Sequence, residues 1–382
     1  MRIKDMIVYA DNAATTRVSR TAMDAMLPYF QMIFGNPSSL HRFGQAAGRA
    51  LQQARETLAC CIGAEPKEIR FTSGGSESDT QAILTGIAYG VREGRRKIVV
   101  SSIEHHAVLR AAKKAKEAGF SIIYLPVSEE GVVSLEAAAR EITGDTALVS
   151  VMLANNETGV IQPVEAISEL CRSRGALLHT DAVQAAGHIP VDTSVLGIDL
   201  LSVSAHKFHG PKGAGALYVR RGITAERLIL GGGQERGERA GTETLPAIAG
   251  MAAALSEACE ELHRTIPYVT ELRRRLTDAL RTIPGCHVYS DHAPKLPGIT
   301  CVGFDGIRSE ILLLRLDALG VAASSGSACT AGALEPSHVL TAMGAPASRA
   351  ELRLSLDAEN TPEEVDYIIE AVKTAYDLSA SL

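Results

Sequence analysis

The chain has 382 residues, 46% of them hydrophobic and 21% charged, with a formal net charge of −6. This composition excludes a disordered chain, and the only basic clusters, Arg95-Arg96-Lys97 and Arg273-Arg274-Arg275, are too short for a nucleic-acid face. No stretch approaches the roughly 18 apolar residues of a membrane span, and MRIKDMIVYADNAATT has no apolar signal core, so a cytoplasmic protein is expected. At about 150 residues per domain the length suggests two units. From about residue 69 to 220, short apolar runs alternate with helical patterns: IRFTSG, KIVVSS, SIIYLPV, ALVSVMLAN, ALLHTDAV, DLLSVSAHK and GALYVR. Seven strands in such alternation predict an α/β fold with a mostly parallel sheet flanked by helices. Between them, AVLRAAKKAKEAG and PVEAISELCRSRG close on glycine, and Pro163 opens the second as a first helical residue. A long helix over roughly 244–281 follows, then the strand GITCVGF, the helix SEILLLRLDALG, the strand ELRLSL and a terminal helix. The start of that helix, TPEE, supplies Thr361 as N-cap, Pro362 in the first turn and Glu364 to complete a capping box. This second group reads as a smaller α+β domain. The expected division is a large domain over 14–258 and a small one formed by 1–13 with 259–382.

The seven cysteines, at 60, 61, 171, 259, 286, 301 and 329, are odd in number, and none pairs as C-x-x-C. Neither a disulfide framework nor a structural metal is expected. Most of these thiols read as small buried hydrophobes.

Four strands end in polar residues, and strand ends of an open parallel sheet converge on one crevice. FTSGGSESD places Gly74, Gly75 and Ser76 before a helix, where free N–H groups and the helix dipole favour a phosphate. LLHTDAVQ puts Asp181 and Gln184 past an apolar strand, SAHK presents Ser204, His206 and Lys207, and SSIEHHAVL sets His105 at a strand-to-helix junction. Each alone is an ordinary cap or loop residue. Together, a phosphate cradle, a carboxylate and a lysine are what pyridoxal 5'-phosphate requires: a Schiff-base amine, a partner for the pyridine nitrogen and a phosphate site. A desolvated lysine beside that cationic ring should also hold its proton less tightly.

The segments VYADNAATT, FGNPSSLHRFG, EIRFTSGGSESD, EHHAVL, ANNETGVIQP, HTDAVQAAG, SAHKFHGPKGAGALYVR, GGGQERGERAGT, SSGSACTAG and PSHVLTAMG run in order over nearly the whole chain. Their order and spacing resemble the cysteine desulfurases of the nitrogen-fixation and iron–sulfur-cluster type, fold-type I pyridoxal phosphate enzymes in the class-V aminotransferase group. The resemblance implies that Lys207 is the Schiff-base lysine, that Asp181 partners the pyridine nitrogen, and that His105 stacks on the ring and exchanges protons with substrate. It also implies that Gly75, Ser76, Ser204 and His206 hold the phosphate and that Asn156 and Gln184 contact the phenolic oxygen. Thr242, in RAGT, implies a homodimer in which it reaches the neighbouring phosphate. Arg353 matches the arginine that grips the substrate carboxylate, with Asn36 and Asn156 as further substrate contacts. Ser76 stands where many relatives have threonine, keeping the hydroxyl, and Thr330-Ala331 replaces the commoner serine pair after the cysteine.

Cys329 lies in VAASSGSACTAGALEPSHVL, rich in small residues. That composition suits tight packing, and equally a loop that must swing. The spacing is similar to the longer-loop branch of the family, in which a thiol takes sulfur in the pocket and carries it to a partner. The implied products are alanine and a persulfide on Cys329, destined for a sulfur-acceptor or iron–sulfur scaffold protein. Lys207 and Asp181 would equally serve an aminotransferase or a selenocysteine lyase, and the loop cysteine is the feature that separates these. A catalytically idle sulfur-acceptor scaffold is the reading from another class, and retention of every reactive position argues against it.

Overall fold

The computed structural model describes residues 7–326 and 336–380; Cys329 lies outside the described residues. Its strands are β1 (Val8–Tyr9), β2 (Ile69–Thr72), β3 (Lys97–Ser101), β4 (Ser121–Leu125), β5 (Thr146–Ser150) and β6 (Leu177–Asp181). They continue with β7 (Leu200–Ser204), β8 (Gly215–Val219), β9 (Cys286–Val288), β10 (Ile299–Phe304), β11 (Val321–Ala322) and β12 (Ala350–Ser355).

All seven strands expected between residues 69 and 220 join one sheet, in the order β2-β8-β7-β6-β5-β3-β4. β8 alone runs against its two neighbours, and the other adjacent pairs are parallel. Every residue of β5, β6, β7 and β8 is buried. Helices cover both faces of a parallel sheet, so its inner strands must be apolar throughout rather than alternating. The chain moves outward from β3 to β4, then returns to the far side of β3 with β5 and continues through β6 and β7. The switch point therefore lies between β3 and β5, and the loops that leave β3, β5, β6 and β7 open onto it.

The second group of elements forms an antiparallel sheet in the order β12-β10-β9, with β1 pairing in parallel with β11. Its core contains Leu276, Val302, Phe304, Leu352, Val365 and Ile368, and the N-terminal Val8 and Ala10 pack into it. The helix Leu245–Arg281 serves both halves. Leu245, Ile248, Met251 and Leu255 enter the core of the large sheet, whereas Val269, Leu272, Leu276 and Leu280 enter the smaller one. Pro267, which cannot donate to the helical ladder, falls between the two sets.

The terminal helix Pro362–Ala380 has the expected box: Glu364 N donates to Thr361 Oγ1 at 3.2 Å, and Thr361 N donates to Glu364 Oε2 at 3.1 Å. Pro163 differs from expectation by one position. It is the N-cap of the helix Val164–Arg174, with ψ 58° outside the helical range, and Gly175 closes that helix in the left-handed conformation.

Candidate active site

The helix Gly75–Glu93 starts directly at the end of the large sheet. Its N-cap is Gly74, at φ 150°, and no side chain caps the first turn, so the first N–H groups keep the partial positive charge of a helix start. A Cβ on Gly75 would lie 2.8 Å from Val183 Cγ2 and 3.7 Å from Ser204 Cβ, which fixes the turn against the ends of β6 and β7. Ser76 is exposed at the mouth, and Ser204 is buried below it. Glu77, in the same first turn, accepts from Arg239 at 2.9 Å and so ties the segment leading to Thr242 to this helix start. Thr242 itself is exposed.

Lys207 ends a short turn beyond β7. Its Nζ donates to the carbonyls of Ala13 at 2.5 Å and Ala14 at 2.9 Å, and Gln184 Nε2 donates to the same Ala13 carbonyl at 2.8 Å. The segment ADNAATT thus folds over the strand ends, where Thr16 N donates to His206 O at 2.9 Å. His206 pairs its Nδ1 with Thr15 Oγ1 at 3.2 Å, and burial together with the Lys207 charge brings its imidazole down to about 4.

Asp181 is 5% exposed, and its Oδ1 accepts from Val183 N at 2.9 Å. Burial raises its carboxyl to about 6, against the opposing pull of that N–H and of the Lys207 charge. A carboxylate so placed is stabilised by any cation brought beside it. His105 is the N-cap of the helix His106–Ala115, with Nδ1 accepting from Ala107 N at 3.2 Å. Because Nδ1 is an acceptor, the proton of the neutral ring resides on Nε2. Burial, then the charge of Lys207, lowers this imidazole to about 4. The capping role uses Nδ1 alone and leaves the Nε2 proton outside that bond.

Arg353, on β12, approaches from the smaller sheet. Its guanidinium donates to Asp11 Oδ1 and to Asn156 O, both at 3.0 Å, and it is 3% exposed. Its Nε has no hydrogen-bond partner among the described residues. Asn156 is half-buried in the loop beyond β5. Asn36 is exposed and uses Oδ1 to accept from Ser38 N at 2.9 Å, a local turn rather than a contact with the strand ends.

A second polar layer lies behind Asp181 that the sequence reading missed. His179 on β6 joins Ser150 Oγ (2.8 Å) and Ser202 Oγ (3.0 Å), with Asp79 Oδ1 3.7 Å from its Nε2. Burial and the Asp181 charge drive the Asp79 carboxyl well above the carboxylate range, and burial lowers His179 to about 3. Glu104, next to His105, accepts from Ser101 Oγ at 2.5 Å and Met152 N at 2.8 Å, and burial raises it to about 8. The one signal for this layer was position. Glu104 and His179 adjoin the strand-end motifs, but their burial is a property of the packed sheet.

The arrangement therefore offers a helix start that favours an anion, a buried carboxylate suited to a cation, an amine whose charge acts on that carboxylate and a guanidinium from the smaller sheet. The model of the class-V aminotransferases matches residues 8–368. The chain is 47% identical over 367 residues to cysteine desulfurase IscS of Methanosarcina thermophila, covering 96% of this chain and 91% of that one. It is 46% identical over 370 residues to cysteine desulfurase IscS of Clostridium botulinum, with coverage of 96% and 93%. A solved NifS-like protein superposes with a TM-score of 0.91 at 39% identity, covering 98% of this chain and all of that one. A structure described as SspA in complex with cysteine gives 0.81 at 33% identity, with coverage of 92% and 99%. The chain belongs to the class-V aminotransferase family, in its cysteine desulfurase branch.

Proposed function

We propose that this protein removes sulfur from L-cysteine with pyridoxal 5'-phosphate as cofactor. The products are L-alanine and a persulfide on Cys329, passed to an acceptor for iron–sulfur cluster assembly or other thiolation. The observation that carries this reading is the meeting of Lys207, buried Asp181 and the uncapped Gly74–Gly75 helix start at one end of the sheet. The helix start fits a phosphate, since no side chain caps its first N–H groups. The Asp181 carboxylate, raised by burial, fits a protonated ring nitrogen.

Gly75, Ser76, Ser204 and His206 would hold the phosphate, Asp181 the pyridine nitrogen, and Asn156 and Gln184 the phenolic oxygen. When bound, the cofactor supplies an electron-accepting ring that stabilises negative charge at the Cα of an amino acid. Lys207 Nζ would take the Cα proton of the bound amino acid and later return one. His105 stays neutral above about pH 5 and holds a proton at Nε2 for exchange with substrate. Arg353 grips the substrate carboxylate with two parallel N–H donors, and Asn156 is a further substrate contact. The Cys329 thiolate attacks the substrate Sγ: the Cβ–Sγ bond breaks, an S–S bond forms, and Cβ gains the proton that completes alanine.

The working unit in this reading is a cytoplasmic homodimer, with Thr242 reaching the neighbouring phosphate. The exposed side chains of Phe30, Met32, Phe34 and Leu40 support a protein-covered face. The division into 14–258 and 1–13 with 259–382 belongs to the same proposal.

The test is incubation with L-cysteine, assaying alanine and sulfide with and without a thiol reductant, on wild type and Cys329→Ser. Wild type forms both products, and the variant keeps the cofactor absorption but forms no persulfide. Normal persulfide formation by Cys329→Ser, or purified protein that stays colourless when supplied with the cofactor, overturns the reading.

A further inference from the structure

Two buried glutamates that the proposed chemistry leaves idle meet over the backbone of Gly326. Glu157 follows Asn156 in the loop beyond β5. Glu351 precedes Arg353 by two positions on β12 and so shares its face of the strand. They are 3% and 6% exposed. A Cβ on Gly326 would fall inside both carboxyl groups, so the two crowd one backbone position. Each then accepts from a different side: Gly326 N donates to Glu351 Oε1 at 2.7 Å, and Ser337 Oγ donates to Glu157 Oε2. Gly326 and Ser337 flank, on its two sides, the stretch of sequence that contains Cys329.

Two full charges so close and out of water repel strongly, and a single proton held between them removes the conflict. Burial raises both carboxyls, and the Glu157 charge helps bring Glu351 up to about 8. The other groups facing the pair are Arg353 on the same strand, His338 in the following helix, Cys301 on β10 with Sγ 4.0 Å from Glu351 Oε1, and Tyr289 beyond β9, with the Lys295 charge acting on Cys301. Arg353 is already engaged by Asp11 and Asn156.

We propose that Glu157 and Glu351 are positioning residues for the sulfur-transfer step: sharing one proton, they fix both flanks of the Cys329 stretch against Asn156 and Arg353. This rests on the function proposed above. Ionisation of the second carboxyl sets like charges side by side and loosens the flanks, so the device works below its upper titration and fails above it.

The test uses the full-length holoenzyme and two readouts across pH 6.5 to 9.5: the protection of the Gly326 amide by hydrogen-exchange mass spectrometry, and kcat and KM for alanine formation. Wild type is expected to lose about 10-fold in Gly326 protection and about 5-fold in kcat between pH 7 and 9. Glu351→Gln keeps an acceptor for Gly326 and a donor for Glu157 without titrating, so both readouts stay flat. Glu351→Ala lowers both at pH 7 with KM for cysteine within about twofold. If Glu351→Ala fails to fold, Glu351→Gln decides by itself. A wild-type pH profile in Glu351→Gln, or wild-type Gly326 protection in Glu351→Ala, overturns the proposal. Cys329→Ser forming alanine at the wild-type rate overturns the parent reading and this one with it. An inactive Cys329→Ser beside unmoved Glu351 variants overturns this one alone.

Discussion

The two walls of the site are held in different ways. On the strand-end wall, the proposed catalytic and cofactor-binding side chains are fixed by the main chain: Lys207 by the Ala13 and Ala14 carbonyls, Asp181 by the Val183 amide, His105 by the Ala107 amide. On the facing wall, side chains also hold one another: besides the Asn156 carbonyl, Arg353 grips Asp11, and Ser324 Oγ donates to the second Asp11 oxygen at 2.7 Å. A wall anchored by backbone tolerates loss of one side chain without collapse, so substitutions there should report chemistry. A wall of mutually anchored side chains should report chemistry and stability together.

The largest effect is expected on the first wall. Lys207→Ala should lower alanine formation by about 1,000-fold or more, with a denaturation midpoint close to wild type. Asp181→Asn, which keeps the shape and removes the charge, should cost about 100-fold in turnover, again with the fold intact. A large loss of stability in either variant would erase the proposed contrast. On the facing wall, Arg353→Lys should lower kcat/KM for cysteine by about 30-fold through KM, since a point charge cannot reproduce the two-pronged grip proposed for it. Unlike the first two, it should also lower the urea midpoint, because the half-buried Asp11 carboxylate loses part of its pairing with a buried guanidinium.

A pH experiment sharpens the comparison further. His105 and His206 titrate near 4 and His179 near 3 in the folded chain, below the unfolded value of about 6.5. The unfolded state therefore binds more protons in that window, and these groups make stability fall as pH drops from about 6.5 towards 4. Asp181 and Glu104 have the opposite sign: their folded values of about 6 and about 8 lie above the unfolded ones, so their contribution is lost as pH rises through those values. Replacing His105 with glutamine should recover on the order of 1–2 kcal/mol of the stability lost between pH 7 and 4.5, read from urea unfolding at the two pH values. An unchanged acid loss would remove His105 from this balance. The smallest effect lies away from both walls, where Thr361→Ala should cost about 1 kcal/mol of stability and leave turnover unchanged.

The first wall was legible in the sequence because a buried parallel strand reads as an apolar run with a sudden polar end. LLHTDAVQ and DLLSVSAHK carry that signature, and the capping box at Thr361 is equally local. The second wall was not legible as geometry. Arg353 and Asp11 are 342 positions apart, and no periodicity in either segment announces that they meet. Glu157 and Glu351 look like ordinary polar residues of a loop and an edge, and only tertiary packing makes them share one small space. Asp79 was hidden for the same reason, since in a helix of mixed composition it has the appearance of a solvated position. Asn36 and Thr242 were placed by family pattern alone, and both are exposed in the folded chain.

The helix Leu245–Arg281 has a consequence for anyone who would dissect this molecule. Because its first half lines one core and its second half another, cleavage near Pro267 would leave each fragment with a naked apolar stripe: Ile248, Met251 and Leu255 on one, Leu272, Leu276 and Leu280 on the other. Neither piece could be excised as a clean, soluble product. Evolution and the protein engineer alike must inherit the two halves as a single indivisible part.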